Sequence, residues 1–196
     1  MAALDIPACD GLEFDVRVSA DGVPVLCHDE TLARTHGRPD RVDGLSAVAL
    51  QAVGVPTLEK VLTTVGRRPF LDIELKDVVG PVFVQIAAGS RGAGLTNAVV
   101  SSFETAALER LARLAPGWPR WLNSRTLSPR AIATAGALGC AGIAADWRTL
   151  DEASIARARA AGLDVASYTV RRRSTFERLA RLGVVAVCVE ASALDG

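Results

Sequence analysis

Carboxylates spaced two residues apart recur in two segments of the chain. Glu13 and Asp15 stand in GLEFDVRVS, which begins at Gly11, and Asp72 and Glu74 stand in RPFLDIELK with Lys76 two positions further on. Residues two apart on an extended strand share a face, so each acidic pair points one way. Leu12, Phe14 and Val16 point the other, as do Leu71, Ile73 and Leu75. Carboxylates gathered at one point repel unless something positive sits among them. A hard divalent cation with oxygen ligands, Mg2+ or Ca2+, is the natural occupant, and Lys76 then remains to offer a point charge to a phosphate. A strand of alternating charge is more often just a solvated face, and Glu13 and Asp15 taken alone favour that plainer reading. It weakens for Glu74 and Lys76, because their strand reads as central in a parallel sheet and such a strand has no solvated face.

His28 taken alone suits a hydrogen-bonded structural histidine better than a catalyst. Cys27 beside it suggests a thiol nucleophile, but neighbours on a strand point to opposite faces, which disfavours a dyad. The three tryptophans and Tyr168 read as packing residues. Arg171, Arg172 and Arg173 read as solvated charges at the start of a helix, with Arg171 the one that could meet an anion.

The elements that must position these groups follow from periodicity. From Asn97 onward, short β-branched runs recur about every 22 residues, the spacing of one strand plus one helix. They are NAVVSSF, RWLN, AGIAADW, DVASYTV and VVAVCVE, apolar runs suited to strands buried on both faces. Capping-box spacings at Ser101-x-x-Glu104, Thr149-x-x-Glu152 and Ser174-x-x-Glu177, and Ser128 before Pro129, predict helix starts between them. Strands joined by helices run parallel, so this half predicts a barrel segment or an open doubly wound sheet. The first half differs. GLEFDVRVS and VPVLCHD, joined through Ala20-Asp21-Gly22, predict a hairpin, and the polar stretch from Asp29 to Gly44 predicts a long surface loop. Helix signals resume at Pro56-Thr57-Leu58-Glu59. Active sites of parallel α/β folds form at the carboxyl ends of strands. Glu13, Asp15, Glu74, Lys76, Ser101, Asp146 and Glu190 all fall at such ends.

Composition narrows the partners. The 196 residues are 49% hydrophobic, and 22 basic side chains balance 22 acidic ones. With a pI near 6.7, nothing general draws the chain to nucleic acid or to an anionic membrane, so a bound anion needs a local site. No apolar run reaches the ~20 residues of a membrane span, and the reading is of a soluble, cytoplasmic protein. Four scattered cysteines, without C-x-x-C spacing, predict buried thiols rather than a disulfide frame or a zinc site.

The ordered set E-x-D, DG-x-P-V-x-x-HD, PTLE and IELK resembles the glycerophosphodiester phosphodiesterases, and the likeness continues through VVSSF and weakly through VASYTV. The resemblance implies an α/β fold, a TIM-type (β/α) barrel with a β-hairpin insertion, forming a single domain over residues 1–196. It also implies metal-dependent hydrolysis of a glycerophosphodiester to an alcohol and glycerol 3-phosphate. Glu13, Asp15 and Glu74 would be metal ligands for Mg2+ or Ca2+, His28 a catalytic acid or base, and Lys76 a phosphoryl contact.

The departures from the family are specific. Family members open with a strand carrying His-Arg-Gly and a Pro-Glu-Asn-Thr loop. This sequence has neither, and Met1–Cys9 resembles only the tail of the following helix. No residue therefore inherits the second histidine or its arginine, and the family's W-T-V-N stands here as Tyr168-Thr169-Val170-Arg171. Seven of eight barrel strands are expected, truncated at the amino end, with open edges near Glu13 and Glu190 that predict self-association. Two other readings stay open. One is a catalytically impaired relative that binds a phosphate compound or a protein partner. The other is a sugar-phosphate enzyme on a similar barrel, which needs a late glycine loop where this chain has Arg-Arg-Arg-Ser.

Overall fold

The computed structural model describes Leu4 and residues 9–190. The rest of Met1–Cys9, which resembles the tail of a family helix, lies outside the described residues. Contacts divide the chain into two compact units, one of Asp10–Trp118 and one from Pro119 onward. Among the described residues no helix is long and apolar enough to cross a membrane.

In the first unit β1 (Gly11–Val18) and β2 (Pro24–Leu26) form the expected antiparallel hairpin, with Val16 opposite Leu26 and Val18 opposite Pro24. Gly22 takes a φ of 79° in the turn, a conformation that glycine adopts without a Cβ penalty. Asp21 accepts hydrogen bonds from the Ser19 hydroxyl (2.6 Å) and from the Ala47 backbone N–H (2.9 Å), which ties the turn to the next helices. The polar stretch after Asp29 is less open than a loop. It contains a short helix α1 (Ala33–His36) and a 3-10 turn at Val42–Gly44. Leu32 and Val42 turn inward and pack with Val25, Leu50 and Val55.

Helices α2 (Ala47–Ala52) and α3 (Leu58–Val65) follow, and Thr57 caps α3 by accepting from the Lys60 N–H, as Pro56-Thr57-Leu58-Glu59 predicts. Strand β3 (Phe70–Leu75) lies parallel to β1 on one side and to β4 (Ala98–Ser102) on the other, giving the order β2-β1-β3-β4. Gly11 is required at the start of β1, since a Cβ there would collide with the Phe70 carbonyl oxygen. Helices α4 (Pro81–Arg91) and α5 (Thr105–Leu114) complete the unit. Val16, Leu71, Ile73 and Leu75 form one core with Leu58 and Leu62 of α3, Phe83 of α4 and Leu111 of α5. Each such fully buried side chain contributes roughly 1.5–3 kcal/mol. Because this apolar face is covered by helices, alternation turns the carboxylates of β1 and β3 to the opposite face.

In the second unit β5 (Arg120–Ser124), β6 (Gly142–Asp146), β7 (Asp164–Val170) and β8 (Ala186–Val189) are parallel in that order. Helices α6 (Pro129–Ala137), α7 (Glu152–Ala160) and α8 (Arg173–Arg181) connect them. Ser128 and Pro129 start α6 as expected. The other helix starts differ from the sequence expectation. Asp151 and Ser154 form the capping box of α7, while the Thr149 hydroxyl donates to the Asp146 carbonyl. Neither Ser101 nor Ser174 caps its helix, since Ser101 is buried inside β4 and Ser174 already lies within α8. Arg171 is engaged by both carboxylate oxygens of Glu190, at 2.7 and 2.9 Å. Among the described residues seven strands, β1 and β3 to β8, run in parallel pairings, with β2 the antiparallel addition.

Candidate active site

Parallel register sets Glu13 of β1 beside Asp72 of β3, and Asp15 beside Glu74. One carboxylate oxygen from each of Glu13, Asp15 and Glu74 lies within 4.8 Å of the others. These are the three residues expected as metal ligands, and an all-carboxylate donor set suits a hard cation. Lys76, expected to stand apart for a phosphate, is held among them. Its ammonium is 3.0 Å from Asp15 and bonded to Glu74, with the Phe103 ring 5.8 Å away.

The electrostatics follow from packing so many acids together. Protein packed around the Glu13 carboxyl, then the charges of Asp15, Asp72 and Glu74, push it up to about 8, even though the residue as a whole keeps an exposed surface. Burial pushes Asp72 up to about 7 against a hydrogen bond from Ser101, and its Oδ1 is buried without a hydrogen-bond partner. Burial also raises Glu74, with the Lys76 hydrogen bond opposing. Burial works against the Lys76 ammonium, but the bond to Glu74 and the charges of Glu74 and Asp15 outweigh it, and the lysine stays protonated above its ordinary range.

His28 lies just past the end of β2, and its segment is tied to the acidic strands by the backbone. The Cys27 N–H donates to the Asp15 carbonyl at 3.1 Å. The His28 ring meets Asp29 through Nδ1 at 2.6 Å, and Arg34 bonds both oxygens of Asp29, at 2.6 and 3.1 Å. Those bonds from Arg34 and His28 hold the Asp29 carboxyl down at about 2. Asp29 is therefore an acceptor at neutral pH, Nδ1 of His28 carries the donated hydrogen, and Nε2 is the nitrogen left for proton transfer. The ring is near enough to Glu74 for its positive form to favour that carboxylate. Cys27 forms no dyad with it, as its thiol is directed to the Asp29 carbonyl at 3.3 Å.

Asp29, Arg34, Arg17 and Asp77 were not among the residues expected from sequence. Adjacent residues on a strand cannot bond side by side, which hides a His28–Asp29 pair as long as VPVLCHD is read as all strand. The strand ends at Leu26, and the irregular backbone beyond it brings the two side chains together.

The family model described as Glycerophosphoryl diester phosphodiesterase family matches residues 2–194. The chain belongs to that family. A Bacillus subtilis (strain 168) relative named Uncharacterized protein YqiK is 32% identical over 195 residues, 89% of this chain and 80% of its own. A glycerophosphodiester phosphodiesterase structure from Agrobacterium tumefaciens is 25% identical with a TM-score of 0.80, over 98% of this chain and 88% of that one. An Oleispira antarctica phosphodiesterase, solved with the product sn-glycerol-3-phosphate, is 24% identical with a TM-score of 0.78, over 96% of this chain and 86% of that one. This family member thus has the α/β, TIM-barrel class of fold expected from its sequence. Its enzyme class is that of a glycerophosphodiester phosphodiesterase, a phosphoric diester hydrolase.

Proposed function

We propose that this chain hydrolyses a glycerophosphodiester to an alcohol and glycerol 3-phosphate, using Mg2+ or Ca2+ held by Glu13, Asp15 and Glu74. The observation that carries the reading is the convergence of those three carboxylates within 4.8 Å, on strands whose register sets Asp15 beside Glu74. The donor set fits a hard cation, and burial, with the neighbouring acidic charges adding to it, pushes Glu13 and Glu74 toward the protonated form, a cost that a bound cation would offset. When bound, the cation would polarise the phosphoryl oxygens and favour ionisation of the attacking hydroxyl or water.

The remaining work falls to the chain itself. Lys76 offers a positive charge to a non-bridging phosphoryl oxygen. His28 in its imidazolium form gives the proton on Nε2 to the departing alkoxide as the phosphorus–oxygen bond to the alcohol breaks, is left neutral with its hydrogen on Nδ1, and regains a proton from solvent for the next turnover. The attacking oxygen forms the new bond to phosphorus and its proton is lost to solvent or to a base. Overall one water is consumed, its hydrogen leaving with the alcohol and its hydroxyl with the phosphate. The product complex of the Oleispira antarctica relative supports glycerol 3-phosphate as the phosphorylated product.

The test is an assay of the purified chain with glycerophosphocholine and Mg2+ or Ca2+. We expect release of glycerol 3-phosphate and choline, loss of the reaction on chelation, and a fall of at least about 100-fold in Glu74→Ala, in line with removal of a catalytic electrostatic group. An unchanged rate in Glu74→Ala overturns the metal site, and choline phosphate as product overturns the direction of cleavage. Calorimetric binding of metal and phosphate ester without turnover would instead identify a relative that binds and does not cleave.

A further inference from the structure

We infer that Arg17 is a positioning residue for His28, an inference that rests on the reading of His28 as the proton donor. Arg17 follows Glu13 and Asp15 at the same two-residue period on β1, and its side chain is only 13% exposed. Its Nε donates to the His28 backbone carbonyl at 3.0 Å, and an Nη donates to Asp77 Oδ1 at 2.8 Å. Asp77 comes directly after Lys76 at the end of β3, and its Oδ2 accepts the Val18 backbone N–H at 2.9 Å. One guanidinium therefore joins the main chain of His28 to the carboxyl ends of both strands that carry the acidic cluster.

The link matters because it holds the main chain of His28 itself, beyond the last pair of the β1–β2 ladder. The His28 side chain is 59% exposed, so core packing does not hold it. Asp29 and Arg34 orient the ring, but neither bonds the strands that carry the acidic cluster in the contacts they make with it. Among the described residues, the β1–β2 ladder ends at Val16 and Leu26, and beyond it the Cys27-to-Asp15 backbone bond and the Arg17 bridge carry the tie on to His28. A proton donor displaced by about 1 Å can lose about 100-fold in rate. The planar fork of arginine is also what lets one side chain serve a carbonyl and a carboxylate in fixed directions. A lysine cannot do both at once.

The consequence is specific to the leaving group. An alkyl diester such as glycerophosphocholine expels a strongly basic alkoxide and needs a delivered proton. The p-nitrophenyl ester of glycerol 3-phosphate expels a phenolate that departs as the anion. Misplacing His28 slows the first and spares the second, whereas general damage to the fold or the metal site slows both.

The experiment measures kcat and KM on both substrates, Mg2+ binding by calorimetry, and thermal melting, for wild type, Arg17→Met, Arg17→Lys, Asp77→Asn and His28→Ala. We expect kcat of both Arg17 variants to fall about 10- to 100-fold on glycerophosphocholine, the range for loss of a residue that orients a functional group. The p-nitrophenyl ester should lose less than about threefold, with KM and Mg2+ affinity unchanged, because the group lost acts only through proton delivery. Asp77→Asn should move the ratio of the two rates in the same direction, and His28→Ala should show the same selectivity at about 100- to 10,000-fold. Equal loss on both substrates in the Arg17 variants, or no loss on either, overturns the positioning role while a selective His28→Ala leaves the proton donor standing. A non-selective His28→Ala overturns the proton-donor reading and the inference with it. Should Arg17→Met fail to melt cooperatively, Arg17→Lys decides by the same ratio.

Discussion

Asp15 and Glu74 are register partners across the parallel ladder of β1 and β3, and the Lys76 ammonium contacts both. Two acids set side by side on neighbouring strands repel when both are ionised, and a positive charge between them offsets that. The lysine supplies that charge, and a divalent cation would compete for the same oxygens.

Removing a ligand should therefore be read first in binding. Glu74→Gln and Asp15→Asn keep the volume and remove the charge. Each is expected to weaken Mg2+ or Ca2+ binding by more than the roughly 10- to 100-fold that loss of an outer-shell partner costs. Titration calorimetry on the purified variants checks this without any assay of turnover.

Lys76→Met separates competition from catalysis. With the ammonium gone, the carboxylates attract the cation more strongly, and metal affinity should rise roughly 3- to 10-fold by Coulomb interaction across a partly screened site. Turnover should fall at the same time because the phosphoryl group loses a positive partner. Weaker metal binding in this variant would show that the lysine supports the site instead of competing for it.

The acid cluster also sets a pH dependence. Glu13 and Asp72 stand at about 8 and about 7 in the folded chain, above their ordinary values of 4.5 and 3.8. Between those limits the folded state binds more protons than the unfolded one, so stability falls as pH rises. Without metal, the melting temperature should drop from about pH 4 to pH 8, and added Mg2+ should restore more of it at pH 8 than at pH 5, since ligands must be deprotonated to bind. A melting temperature that rises over this window in the metal-free chain would contradict the arrangement.

Asp29 acts in the opposite sense. Its carboxyl is held at about 2, below the ordinary 3.8, so what it contributes is present at neutral pH and lost as the pH falls through that range. Because the Arg34 pair is exposed, Asp29→Asn should lower the melting temperature slightly near pH 7, a difference that fades in acid as Asp29 itself is protonated. It should lower turnover of glycerophosphocholine about 10- to 100-fold, because the amide no longer enforces the Nδ1–H form of His28.

Phe83 tests the frame. It is fully buried under the β-strands and meets Trp118 edge-on at 6.2 Å. Phe83→Ala is expected to cost about 3–5 kcal/mol in stability by denaturant unfolding, with metal binding retained in whatever fraction stays folded.

Much of this was legible in the one-dimensional pattern. Strands read out because alternation in GLEFDVRV and FLDIEL separates a core face from an acidic face, and the apolar runs after Asn97 match β4 to β8 closely. Helix starts were less legible. Ser101 and Thr149 have the right spacing for caps, but whether the chain has left its strand at that point is settled by packing, and Ser101 had not. Helix α4 has no capping-box spacing to announce it, and its signal lies instead in Gly80-Pro81 and the buried Phe83 and Ala87.

The identity and facing of Glu13, Asp15 and Glu74 were set by local periodicity, because a strand has only two faces and the hydrophobic residues claim one of them. Their convergence required the parallel register of β1 with β3, which no local spacing contains, since it depends on where two strands whose partners lie 59 positions apart settle against a common core. The same holds for the surroundings of His28. Asp29, Arg34 and Arg17 meet it or its segment once the chain has left β2 at Leu26, and Asp77 in turn holds Arg17. Hydrogen-bond partners of this kind are matters of distance and direction, and those exist only once the tertiary structure has formed.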